Sequence, residues 1–443
     1  MESIKIMTLF IFLLTIGMII WGKWDRAAIA LMGAVFMVML GTMTETEAFH
    51  AVNWDVIALL FGIWVIASYF GKTGVPQYLA VRILQFSGSN VSVFLVFMGI
   101  ISGFISMFVD NVVVILMMAP IIFYITRKLK LNSLPFLIFV GLCANFMGSA
   151  LLLGDLPPQM LHSISGMEFN QFVWFKGRPS SFPLLTATFL LTVLSMYRFK
   201  LRKLFGENSA AIDEIVAVHP KEYVKNRAFT GVTIGVFLAT IVAMSFRQAI
   251  GYHLGFIAII GMAALVLVNE IWRMQLKGPT FEETLKELDL RALLFYIALF
   301  ILVGGLSREG IIKTIADALA PYFKENLILG STMLYWVTAL IAGVVEHDAY
   351  ILVFLNLIKN LAASAGIVPW PLWWALLWAG TLGSNLTVAG APALFVAQSI
   401  CERNEGYKID LKEFLSYSVP FVVISLLVQY ILTIIFWVLP FAP

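Results

Sequence analysis

Asp110 and Asn111 interrupt an apolar run, SMFVDNVVVILMMAP, that extends from Ser106 to Pro120. An ionisable group near the middle of a membrane costs at least about 2.5–3.5 kcal/mol on insertion scales. A carboxylate kept there is protonated, paired or facing water. Asp and Asn are also favoured helix N-caps. Combining the two facts, a half-helix that starts at Asp110 directs backbone N–H groups into a cavity, while the carboxylate holds a cation or a proton. The plainer alternative is a hydrogen-bonded structural carboxyl at the interface.

Three more polar interruptions follow. CANFMGSALLLGDLPP (143–158) offers Asn145, Ser149 and Asp155. Gly148 and Gly154 in the same stretch allow a helix to unwind, and unwound carbonyls can coordinate a small ion. Small residues also make helix–helix contacts, and Asp155 before Leu156-Pro157-Pro158 also fits a simple helix end. VVEHDAY (344–350) sets Glu346, His347 and Asp348 side by side. Adjacent residues do not share a helix face, so the trio suits a proton relay, with a histidine that titrates near neutrality, better than a metal cage. GTLGSNLTVAGAPA (380–393) supplies Ser384, Asn385 and Thr387 between Gly383 and Gly390. Uncharged oxygens of that kind fit a desolvated Na⁺ or an oxyanion equally. A charged interruption followed by a Gly/Asn-rich one occurs twice along the chain.

The elements that must position these residues are set by composition. Of 443 residues, 60% are hydrophobic and 12% charged, and the mean hydropathy is +0.92. Soluble domains carry roughly 25% charged residues. Apolar runs of about 20 residues recur from end to end, as spanning helices require, without the alternation of barrel strands. The expectation is an all-α polytopic membrane protein embedded in lipid. The net charge of +3 is small and says nothing about nucleic acid; no basic stripe with interleaved aromatics appears, so no nucleic-acid partner is expected. Cys143 and Cys401 suggest neither a disulfide framework nor a metal site. The first segment lacks a small-residue cleavage site and reads as a retained helix. GKT at 71–73 lacks the upstream glycine of a phosphate loop, because Ile66 stands there. No ATP engine, cofactor or metal beyond Na⁺ is implied, so transport is secondary or passive.

Seven apolar segments fall on each side of a polar linker. The divisions are 1–205, a cytoplasmic linker at 206–227, and 228–443. Most of the 29 Lys and Arg lie on one side when the loop WGKWDR is placed inside, with both termini outside. Arg308, Lys313 and Lys324 oppose this bias, and a helix lying flat at the interface accounts for them. WDVIALLFGIWVIASYFGKTGV (54–75) matches LRALLFYIALFILVGGLSREGI (290–311) without gaps. The same offset of 236 pairs Gly74 with Gly310 and Asp110 with Glu346. An odd number of segments per copy inserts the second copy upside down. The expected architecture is therefore two inverted-topology repeats with broken helices and re-entrant hairpins, a common plan for secondary transporters.

The four interruptions together resemble the ion transporter superfamily, in particular its arsenite-permease and sodium/proton-antiporter branch. That branch includes the melanosomal P protein and a magnetosome membrane protein. The likeness rests on Val109-Asp110-Asn111, on ANFMGSALLLGDLPP from Ala144, on YIALFILVGGL from Tyr296 and on GSNLTVAGAPAL from Gly383. It implies a scaffold part and a transport part, hairpins that meet broken helices at the substrate site, and a homodimer. The chain departs from the pattern at Leu151, at Pro158-Gln159, at Glu346-His347-Asp348 and around Ala391 and Leu394, with fewer neutral oxygens and more titratable groups.

The resulting expectation is exchange of protons for Na⁺ or Li⁺ in a bacterial inner membrane or one derived from it. Asp110 would be the shared carboxylate. Asn111, Asn145, Ser149, Asn385 and Thr387 would be neutral ligands, and Glu346, His347 and Asp348 the relay. The alternatives are efflux of arsenite or antimonite, transport of a dicarboxylate or other anion, and a nontransporting scaffold.

Overall fold

A computed structural model describes the chain except residues 1, 22, 88–89, 203–221, 289, 344–346, 389, 407–410 and 443. Glu346 and most of the linker assigned to 206–227 lie outside the described residues.

The first half carries ten helices of seven residues or more: α1 (Glu2–Trp21), α2 (Arg26–Met39), α3 (Glu45–Ala51), α4 (Trp54–Gly71), α5 (Val75–Phe86), α6 (Val91–Ser106), α7 (Asn111–Lys128), α8 (Leu134–Gly148), α9 (Leu156–Ser165) and α10 (Ser181–Met196). The second half carries ten more among the described residues. They are α11 (Arg227–Ser245), α12 (Leu254–Ile271), α13 (Phe281–Glu287), α14 (Leu290–Arg308), α15 (Ile311–Glu325), α16 (Leu327–Ala342), α17 (His347–Ala365), α18 (Trp370–Gly383), α19 (Pro392–Glu405) and α20 (Leu411–Thr433). Six helical stretches are long and apolar enough to cross a membrane, at 54–71, 181–201, 227–245, 254–271, 290–308 and 411–441. The protein is an all-α polytopic membrane protein.

From α3 to α9, each helix start recurs 236 residues later, from α13 to α19. The local chemistry recurs with it. Thr44 accepts from the Glu47 backbone N–H while the Glu47 carboxylate accepts from the Thr44 backbone, a reciprocal cap that starts α3. Thr280 and Glu283 build the same cap at α13. These bonds, backbone first, hold both carboxyls below the usual carboxylate range. Packing is reciprocal too. α4 lies on α12 as α14 lies on α2, α6 on α8 as α16 on α18, and α7 on α19 as α17 on α9.

Burial separates two kinds of helix. Every residue of α8 is buried, as is every residue of α18 from Pro371 onward, which suits helices apolar all round. They form the centre. α1 and α16 instead expose large apolar side chains such as Phe10, Leu13, Met333 and Leu340. Such faces suit lipid. One exposed connection forms a tight hairpin, Trp174–Phe175 against Arg178–Pro179. Its turn residues Lys176 and Gly177 both have positive φ, at 48° and 75°, as a two-residue hairpin with matching twist requires.

The sequence pattern suggested continuous apolar segments at 134–153 and 372–390. In the structure the helices stop at Gly148 and Gly383, and new helices start at Leu156 and Pro392. The amphipathic α5, α9, α15 and α19 carry too few apolar residues in a row to register as spans.

Candidate functional site

Asp110 is the N-cap of α7. Its carboxylate accepts from the Val112 N–H at 2.9 Å and the Val113 N–H at 3.4 Å. The chain before it turns sharply after α6, so α6 and α7 form a hairpin with Asp110 and Asn111 at its tip. Asp155 likewise caps α9 and accepts from the Leu156 N–H at 2.9 Å. Pro157 and Pro158 remove two of that helix's first donors. Asp155 is therefore both a helix terminus and, as its neighbours show, part of the polar cluster.

Asn111 joins the two broken regions of the first half. Its amide donates to Asn145 Oδ1 at 2.9 Å and to Asp155 Oδ2 at 3.2 Å. Asn145, at the end of α8, reaches across to the second half. Its Nδ2 faces Ser384 Oγ at 3.0 Å, Asn385 Oδ1 at 3.2 Å and the Thr381 carbonyl at 3.4 Å. Ser149 Oγ and Thr381 Oγ1 are 2.6 Å apart. The offset of 236 maps Asn145 onto Thr381 and Ser149 onto Asn385, so the Asn145–Asn385 and Ser149–Thr381 bonds exchange places under it. All of these side chains are buried.

Glycines make the approach possible. A Cβ on Gly154 would lie 2.2 Å from the Ser106 carbonyl oxygen and 2.5 Å from that of Gly148. A Cβ on Gly390 would lie 2.3 Å from the Ser384 oxygen and 2.6 Å from that of Ala342. Gly148 leaves room for the Asp155 side chain, and Gly383 for the Ala339 backbone. The sequence suggested unwinding as the role of these four. The helices stop at Gly148 and Gly383, none of the four has a positive φ, and each also leaves space for a close neighbour.

Thr387 stands apart from this cluster. Its hydroxyl donates to the Gly343 carbonyl at 2.7 Å and ties the second broken region to the end of α16. His347 Nδ1 is 3.1 Å from the Gly390 carbonyl, and His347 Nε2 is 3.7 Å from Asp348 Oδ1. Both side chains are buried.

Asp110, Asn111, Asp155, His347 and Asp348 all line one cavity of about 980 Å³. Its lining adds residues that the sequence patterns did not single out. Arg26, Lys72, Glu287, Arg291 and Tyr296 are there. Lys72 pairs with Glu287 at 2.9 Å, and Arg291 lies 3.8 Å from Asp25. The Arg26 guanidinium sits 5.3 Å from the centre of the Phe295 ring. Among the described lining residues, five carboxylates (Asp25, Asp110, Asp155, Glu287, Asp348) face three permanent cations (Arg26, Lys72, Arg291). Thr381 stands inside the glycine-rich stretch 380–393, but the sequence pattern did not single it out. Arg26 lay in the loop read only for orientation. No group of three or more metal-ligating His, Cys, Asp or Glu occurs among the described residues.

An apolar helical chain, broken twice in each half around a buried polar cluster and an open cavity, has the form of a membrane transporter. The crystal structure of the Alcanivorax borkumensis YdaH transporter superposes with a TM-score of 0.58 at 14% identity, covering 99% of this chain and 100% of that one. The Neisseria gonorrhoeae MtrF structure, described as illuminating a class of antimetabolite efflux pumps, gives 0.55 at 15% identity, covering 92% and 86%. The citrate transporter family model matches residues 16–379, and the chain belongs to that family. It is thus an integral membrane secondary transporter. An uncharacterized transporter of Mycobacterium tuberculosis is 27% identical over 400 residues, covering 88% of this chain and 89% of that one. The human P protein is 24% identical over 453 residues, with 85% of this chain matched to 53% of that longer one, in keeping with the superfamily resemblance.

Proposed function

We propose that this transporter exchanges protons for a small cation, Na⁺ or Li⁺ in the simplest case, across a bacterial inner membrane. The observation that carries the reading is the buried Asp155 carboxylate joined through Asn111 to neutral oxygens from both halves. A dehydrated cation needs several oxygen ligands and one compensating negative charge. Asp155 and Asp110 supply charge, and Asn145, Ser149, Ser384 and Asn385 supply oxygen. Deprotonation creates the site and protonation discharges it, so one carboxylate serves both ions in turn. The excess of carboxylates over fixed cations at the cavity supports a cationic cargo. His347 and Asp348, with Glu346 beside them in sequence, act as the proton route. The recurring elements support reading 1–205 and 228–443 as inverted-topology repeats.

A second reading, a carboxylate solute such as citrate, is favoured by the family's description and by one atom. Asn385 Nδ2 is buried without a hydrogen-bond partner among the described residues, and it is a donor.

Purified protein in liposomes that enclose a pH-sensitive dye tests both. Na⁺ or Li⁺ that dissipates an imposed proton gradient, with the response lost in Asp155→Asn, supports cation exchange. A response to citrate alone moves the assignment to the anion. No response to either in folded protein rejects both.

A further inference from the structure

A proline inside a helix acts beyond its own position. It has no N–H, so the carbonyl four residues earlier loses its ladder bond, and the ring pushes that carbonyl aside. α7 holds one such proline, Pro120, and α20 another, Pro420. The carbonyls they free belong to Leu116 and Ser416. A bare carbonyl in an apolar helix is an acceptor that needs a partner.

The chain satisfies this kind of carbonyl in two ways. In α20 a cation does so. Lys200 Nζ donates to the Ser416 carbonyl, reaches the Ser416 hydroxyl at 3.2 Å and stands 3.9 Å from the centre of the Tyr417 ring. In α17 a side chain does so. Under the offset of 236, Pro120 corresponds to Asn356 and Leu116 to Leu352. Asn356 keeps its backbone N–H, and its Nδ2 donates to the Leu352 carbonyl at 2.9 Å. The second half therefore covers the carbonyl that the first half strips.

At Leu116 no side chain among the described residues supplies the donor. Leu116 and Pro120 both line the large cavity, with Val113 and Met117 on the same face of α7. Leu116 is 48% exposed, against 1% for Leu352. Gln77, on α5, lines the same cavity, and its Oε1 has no hydrogen-bond partner among the described residues. The basic side chains of the wall are engaged elsewhere. Lys72 faces Glu287, Arg291 faces Asp25, and Arg26 stands against the Phe295 ring.

We propose that the Leu116 carbonyl, bared by Pro120, is a second cation-binding point in the large cavity, ahead of the buried polar cluster. The inference rests on the cation reading above. Leu116 lies six residues beyond Asp110, about 9 Å along α7, so a cation there occupies a separate position from one held by the Asp110 carboxylate. A neutral carbonyl takes the place of one hydration water without holding the ion tightly. It offers nothing to a carboxylate solute, which needs donors.

The test restores the missing donor. Pro120→Ala supplies the N–H, and Pro120→Asn copies the arrangement at Asn356. Neither alters a charge. Both variants should melt at or above the wild-type temperature, because proline is unfavourable inside a helix. The Na⁺ concentration that half-saturates exchange should rise about tenfold, as the loss of one charge-assisted contact implies, with the change in that concentration and not in the maximal rate. Pro420→Ala closes the same gap outside the cavity and leaves half-saturation where it is. Unchanged half-saturation in folded Pro120 variants, or an equal rise in Pro420→Ala, overturns the proposal. Should both Pro120 variants fail to fold, wild-type crystals soaked in Tl⁺, a heavy monovalent surrogate, decide it. An anomalous peak beside the Leu116 carbonyl supports the second point. A peak at Asp155 without one at Leu116 rejects that point alone. No cation response and no Tl⁺ peak in wild-type protein reject the cation reading and this inference together.

Discussion

Asn145 is the side chain through which the first half grips the second, and its removal has a calculable cost. Its Oδ1 accepts from Asn111 at 2.9 Å, and its two amide hydrogens are shared among acceptors at 3.0, 3.2 and 3.4 Å. Two hydrogens and one acceptor oxygen give three effective bonds. At about 1 kcal/mol net for each buried bond, Asn145→Ala loses about 3 kcal/mol, and more if the Asn385 oxygen is left buried without a donor. Asn385→Ala alone removes one of these bonds, about 1 kcal/mol. The informative quantity is the coupling. If the 3.2 Å contact across the halves is made, the double variant costs about 1 kcal/mol less than the sum of the singles. Reversible unfolding of all four proteins in mixed micelles measures it. Strict additivity, with coupling below about 0.3 kcal/mol, would refute the cross-half bond and the joint site built on it. The cation concentration that half-saturates exchange should rise in both singles.

Asp110→Asn and Asp155→Asn each abolish cation-dependent dissipation of a proton gradient in liposomes while the protein stays folded, because an amide cannot alternate between cation and proton. Unchanged exchange in either excludes that residue as the shared carboxylate. Gly154→Ala and Gly390→Ala both impair folding or exchange, since a Cβ at 2.2–2.3 Å from a carbonyl oxygen forces the backbone to shift. Gly17→Ala, where nothing lies within 4 Å, is neutral or stabilising by up to about 1 kcal/mol, as melting curves will report. Glu47 and Glu283 have carboxyls held low by their Thr44 and Thr280 partners. A depressed folded value gives stability that is complete above the unfolded value and is lost as pH falls through the folded one. Thr44→Val and Thr280→Val should therefore lower the melting temperature at neutral pH and make less difference in acid.

The sequence by itself determined the membrane class, because apolar runs of spanning length leave no soluble alternative. It also located the four interruptions, because a polar group in an apolar run is conspicuous and expensive. The offset of 236 was readable from one ungapped match, and the helices from α3 to α9 recur with it. The short helices α5, α9, α15 and α19 were not readable, since apolar positions split by polar ones look like a loop to any hydropathy count.

Only the tertiary structure decided which interruptions meet. Asn111, Asn145, Asp155, Ser384 and Asn385 are scattered over 275 positions of sequence, and their contacts depend on α8 and α18 lying buried at the centre. It also placed Thr387 apart from the cluster, on the Gly343 carbonyl. It brought Arg26, Lys72 and Arg291 to the cavity wall, because spacing along the chain says nothing about proximity across a helix packing.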